Sequence, residues 1–187
     1  MDLKTFLAEA WQEHAERPRE VADRLGEALG LIDSEAQIPD VANLASHVLG
    51  AHLGAWQEGL AFLERLRALP SFKVDGPSND ALRRYTASLL LAARLDDTRA
   101  ALSLSDRVRV GAMAAATLAE RDTQRATTLF EEALAQMRVA ELSSADPANR
   151  ALAVTGNNLA SASSNSVVAR RVSRSASVAA AIAPTRI

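Results

Sequence analysis

The sequence has 187 residues, of which 39 are Ala, seven are aromatic and none is Cys. A domain of this length buries roughly 70% of its unfolded surface, and the lack of Cys excludes a disulfide scaffold and a thiolate zinc site. No apolar run approaches the ~18 residues that span a bilayer, and the first residues lack the pattern of a secretory signal. We therefore expect a cytoplasmic protein with no membrane segment.

Charge is distributed unevenly along the chain. The first 146 residues carry all 23 acidic residues and 16 of the basic ones, a net charge of −7, whereas residues 147–187 carry five Arg and no acidic residue. Of the 21 basic residues 19 are Arg, which together with the Ala content indicates a GC-rich bacterial genome. An acidic body of this kind argues against nucleic acid as the main ligand.

The whole chain reads as helix, and the predicted fold class is all-α. Ala, Leu, Arg and Glu favour helices, whereas Gly and Pro lie between the apolar-periodic segments. No segment alternates with period two for long enough to predict a strand. In chain order, the predicted helices span residues 2–16, 19–31, 39–53, 55–69, 79–94, 96–104, 105–119, 122–141 and 146–161.

Several boundaries rest on specific cap residues. Pro39 and Asp40 suit the first turn of the third helix. Residues 70–78 form the clearest loop, and Ser78 or Asn79 is a plausible N-cap for the helix that follows. The segment at 105–119 is uncharged from residue 110 onward, which predicts a central position.

Two helical segments share an internal register. Residues 54–66 align without gaps on residues 121–133. In both, a small residue (Gly59 or Ala126) stands four positions before a large one (Leu63 or Phe130). A small residue lets two helices approach closely, and a large one fills the space between neighbouring hairpins.

The second of these segments resembles the second helix of a tetratricopeptide repeat, which has Ala, three residues and then an aromatic. The offset of 67 residues is close to two units of about 34. The stretch from Gly156 to Ala160 resembles the Asn-Asn-Leu-Ala of kinesin-light-chain-type repeats. The resemblance implies antiparallel hairpins stacked as a right-handed superhelix over residues 1–165, with an irregular helical bundle as the alternative.

In such arrays the first helices of successive hairpins line a groove, where Asn side chains clamp an extended peptide. Transferred by motif position, this predicts a peptide-binding or partner-binding surface formed by Asn43, His47, Asn157 and Asn158. An intrahelical or inter-hairpin hydrogen bond is the alternative role for Asn158. Trp11 and Trp56 fall at core spacing and are interpreted as packing residues.

No catalytic or metal site is predicted. His47 and His52 are five residues apart, about 140° around an α-helix, so we expect that they do not both face one ion. His14 has no second His four residues away. The glycines at 54 and 59 lack the Lys-Ser/Thr that ends a phosphate loop. We therefore expect neither a cofactor nor an enzyme.

The C-terminal segment, residues 166–187, is basic and rich in Ser, Ala and Arg. Its apolar residues recur at helical spacing, which favours a capping helix. A flexible basic arm and a shifted reading frame are the two alternatives.

The resulting hypothesis is a protein-interaction module or adaptor that binds a protein or peptide in a helix-lined groove and is able to self-associate. The alternative is a helical regulatory protein that contacts nucleic acid or an acidic partner through the basic segment.

Overall fold

The structure, a computed structural model, describes residues 1–142, which form seven α-helices and no strand. The all-α prediction is confirmed for this part of the chain. The α-helices are α1 (Leu3–Glu13), α2 (Pro18–Leu31), α3 (Ile38–Ala45), α4 (Trp56–Arg67), α5 (Pro77–Ala93), α6 (Leu104–Leu118) and α7 (Thr123–Leu142). A π-helix follows α3 directly at Ser46–His52, and 3-10 turns lie at Glu35–Gln37 and Thr98–Ala101.

The chain divides into two compact units, Met1–Ala101 and Leu102–Ile187, and the structure describes the second as far as residue 142. The predicted boundary at residue 165 and the predicted helix at 146–161 lie outside the described residues. No helix among residues 1–142 combines the length and the apolar character that crossing a membrane requires.

The first unit is built around α3. This helix contacts α1, α2, α4 and α5. Five of its eight residues are buried, because it carries apolar residues on more than one face and neighbouring helices cover them. The buried residues of α3 are Ile38, Val41, Ala42, Leu44 and Ala45. Neighbouring helices each supply one apolar face at helical spacing to this core, with Phe6, Leu25 and Leu63 among the largest fully buried side chains.

Most helix starts follow the sequence, but the prediction of a helix at 96–104 is wrong, because only a 3-10 turn forms there, at Thr98–Ala101. Asp2 accepts a hydrogen bond from the Thr5 backbone N–H at 2.8 Å, and Pro39 lies in the first turn of α3 as predicted. The prediction of Ser78 or Asn79 as the N-cap of α5 is wrong. Gly76 takes that position because Pro77, which has no N–H to leave unpaired, begins the helix.

Gly59 lies where helices approach closely, as its register predicts. It is buried in α4, and a Cβ at this position would stand 3.1 Å from Cδ1 of Leu89 in α5 and 3.6 Å from Cβ of Leu49. The lack of a side chain at Gly59 therefore allows α4 to approach both α5 and the π-helix closely.

The described part of the second unit is the antiparallel hairpin of α6 and α7. Ser103 accepts a hydrogen bond from the Asp106 backbone N–H at 3.1 Å, and Asp122 accepts one from that of Arg125 at 3.0 Å. These side chains satisfy N–H groups that a helix leaves unpaired in its first turn. Val108 and Ala133 form the buried contact between the two helices, beside Leu104 and Met137.

Candidate metal centre

The third predicted helix, 39–53, is not a continuous α-helix. After Ala45 the backbone widens into seven residues of π-helix, Ser46–His52. The Leu53 N–H donates to the Val48 carbonyl, five residues back, at 3.0 Å. The turn ends at Gly54, whose φ of 62° is a left-handed conformation that Gly adopts without strain. π-Helical turns are rare, and many occur at functional sites.

This backbone overturns the prediction that His47 and His52 diverge. In a π-helix the residue five positions ahead lies on the same face, because the hydrogen-bonded turn contains one more residue than in an α-helix. The two rings meet edge to face with centroids 4.8 Å apart, and their Nε2 atoms are 3.2 Å apart. The estimate of 140° holds only for regular α-helical geometry.

The third histidine comes from another helix. His14 is the C-cap of α1, and its ring lies 5.0 Å from that of His47 and 5.1 Å from that of His52, centroid to centroid. Its Nδ1 lies 2.7 Å from the Trp11 carbonyl oxygen. A carbonyl only accepts hydrogen bonds, so Nδ1 carries the proton and Nε2 of the neutral ring keeps its lone pair.

Trp11 packs against two members of this triad of histidines. Its ring lies 5.0 Å from that of His14 and 5.3 Å from that of His47, centroid to centroid. Burial, and to a smaller extent the neighbouring His52 and His14, lower the pKa of His47 to about 4, because a positive charge is unfavourable in this partly buried cluster. His47 is therefore neutral at physiological pH, the form in which imidazole binds a metal ion.

The triad fits a tetrahedral ion. With Zn–N bonds of about 2.0–2.1 Å, two ligand nitrogens are about 3.3 Å apart, which the 3.2 Å between His47 and His52 matches. All three ligand atoms lie within 4.8 Å of one another, so closure onto one ion needs a movement of at most about 1.5 Å. Small torsional shifts of the three half-buried side chains together supply a movement of that size.

The residues predicted to bind a peptide are only partly described. Asn43 is exposed on α3, one turn before the half-buried His47. Asn157 and Asn158 lie outside the described residues, so the grouping of these four positions stays a prediction. Trp11, interpreted as a packing residue, is half-buried and lies against two of the histidines.

Comparison with protein-family models, with curated proteins and with solved structures yields no match.

Proposed function

We propose that this protein binds one divalent transition-metal ion through His14, His47 and His52. The observation that carries the proposal is the 3.2 Å separation of the two Nε2 atoms that the π-helix brings together. Three imidazoles suit Zn²⁺, Cu²⁺ or Ni²⁺ rather than Mg²⁺ or Ca²⁺, which prefer oxygen ligands.

A second feature supports the same function. Histidine ligands of metals usually donate their other ring N–H to a carbonyl or a carboxylate, which fixes the tautomer and the ring orientation. His14 makes this contact with the Trp11 carbonyl. The hydrogen bond leaves Nε2 of His14 as the ring nitrogen whose lone pair can bind an ion.

Calorimetric titration of Zn²⁺ into the chain, stripped with a chelator and free of any polyhistidine tag, tests the proposal. We expect one ion per chain. Removing a residue that supports a metal ligand lowers metal affinity by about 10–100-fold, and removing the ligand itself costs more. His14→Ala, His47→Ala and His52→Ala should therefore each weaken Zn²⁺ binding by at least about 100-fold. Asn43→Ala, one turn from His47, is the matched control and should bind as the wild type does. Unchanged affinity in the His variants would refute the proposal.

An adaptor that binds a protein or peptide, built as a tetratricopeptide-like array, is a second candidate. Two observations favour it: Asn43 is exposed on a helix that is otherwise largely buried, and the aligned small residues Gly59 and Ala126 are both buried. Quantitative mass spectrometry of partners captured by the wild type and by Asn43→Ala tests it. Identical partner sets would contradict a role for Asn43 in binding, whatever the Zn²⁺ titration shows.

A further inference from the structure

The ligand set of the proposed metal site is incomplete for a closed tetrahedral ion. Among the residues that the structure describes, the group able to hold an ion consists of the three imidazoles and contains no carboxylate. The sequence has no fourth His and no Cys. Structural zinc sites take four protein ligands, whereas sites with three keep a position for water or another small ligand.

The surroundings of the triad leave that position accessible. All three histidines are half-buried rather than buried, and Trp11, which lies against two of them, is half-buried as well. Each of the three side chains is therefore partly exposed to water. An ion bound by the three rings would be reached from the solvent side.

We infer that the metal-loaded protein keeps one exchangeable coordination position, which takes water or a small anion such as azide. This inference rests on the proposed metal binding. A cation bound by three neutral imidazoles retains its full positive charge, because none of the ligands is an anion. That charge favours a small anionic ligand at the fourth position.

Outside the described residues, the sequence offers few groups to fill the position. Residues 143–187 contain a single acidic side chain, Asp146. A carboxylate is the only kind of side chain left in this chain that binds Zn²⁺ commonly. Asp146 is thus the side chain that could take the fourth coordination position in place of an exchangeable ligand. The variant Asp146→Asn removes its carboxylate.

The test uses the full chain loaded with Co²⁺, whose visible absorption reports its ligands, in two steps. Loading should first produce the intense visible bands of a four-coordinate ion. Titration with sodium azide at constant ionic strength, with perchlorate as the weakly coordinating control, should then shift those bands saturably, and to the same extent in Asp146→Asn.

The outcomes separate the two proposals. Bands that appear on loading but do not respond to azide would overturn the exchangeable position and leave metal binding intact. A response confined to Asp146→Asn would overturn it in favour of a site closed by that carboxylate. Retention of Co²⁺ with only the weak bands of a six-coordinate ion would overturn the single exchangeable position. Failure of the wild type to retain Co²⁺ after desalting would overturn metal binding itself.

Discussion

Oε1 of Glu35 accepts a hydrogen bond from the Ser78 hydroxyl at 2.7 Å, across 43 residues of sequence. The Ser78 backbone N–H, in the first turn of α5, points at the same oxygen at 3.4 Å. The carboxylate is largely buried, and Lys73 lies 3.9 Å from its other oxygen. A negative charge at a helix N-terminus is stabilising because the first N–H groups are unpaired and the helix dipole is positive there. Glu35 therefore ties the turn before α3 to the start of α5.

Gly76→Ala should destabilise the protein, because the new Cβ would stand 1.7 Å from Oε1 of Glu35 and the carboxylate would have to leave Ser78. A lost hydrogen bond to a charged group costs about 1.5–3 kcal/mol, and urea unfolding measures it. Gly30→Ala is the matched control: its Cβ would meet nothing within 4 Å in α2, so it should raise stability by about 0.5 kcal/mol. Equal effects of the two variants would contradict the role of Glu35.

Gly54→Ala should also lower the free energy of unfolding, for a different reason. Gly54 ends the π-helix with a φ of 62°, and a residue with a Cβ pays about 1 kcal/mol for that conformation. Asn tolerates the left-handed region better, so Gly54→Asn should cost less than Gly54→Ala. If Gly54→Asn unfolds at a lower urea concentration than Gly54→Ala, the left-handed conformation is not what makes Gly favourable at residue 54.

The sequence predicted the helices well where local chemistry decides them. The predicted helices at 2–16, 19–31 and 122–141 correspond to α1, α2 and α7, and Asp122 accepts a hydrogen bond from the Arg125 backbone N–H at the start of α7. These features depend on residues three or four positions apart. They are therefore visible without the rest of the fold.

The triad was missed because it depends on an interaction across helices. Val48 and Leu49 of the π-helix are buried in a core that several helices build, and local spacing does not contain these contacts. Residue spacing alone gives the α-helical angle and so separates His47 from His52. The glycines at 50 and 54, which flank the last turn before α4, were the only local signal that this helix is irregular.

Metal-free protein should lose stability as the pH falls from about 6.5 to about 4, partly because of His47. Its pKa is about 4 when folded and 6.5 in the unfolded chain. In this window the unfolded chain binds a proton that the folded chain does not, so acid favours unfolding. The full shift corresponds to roughly 3 kcal/mol, and we expect about 1–2 kcal/mol because the half-buried ring is partly screened by water.

Urea unfolding at pH 7 and at pH 4, in the presence of a chelator, measures this contribution. The loss of stability between the two pH values should be smaller in His47→Gln than in the wild type by that amount. If the wild type and His47→Gln lose the same free energy of unfolding between pH 7 and pH 4, folding does not lower the pKa of His47.

The most direct measurement is X-ray absorption at the zinc edge of the protein loaded with one equivalent of Zn²⁺. We expect three imidazole nitrogens at about 2.0–2.1 Å, with one further light ligand. His52→Ala should reduce the imidazole count to two or abolish stoichiometric loading. A wild-type spectrum with fewer than three imidazoles, or with oxygen ligands alone, would contradict the claim that the π-helix joins His47 and His52 to His14 in a metal site.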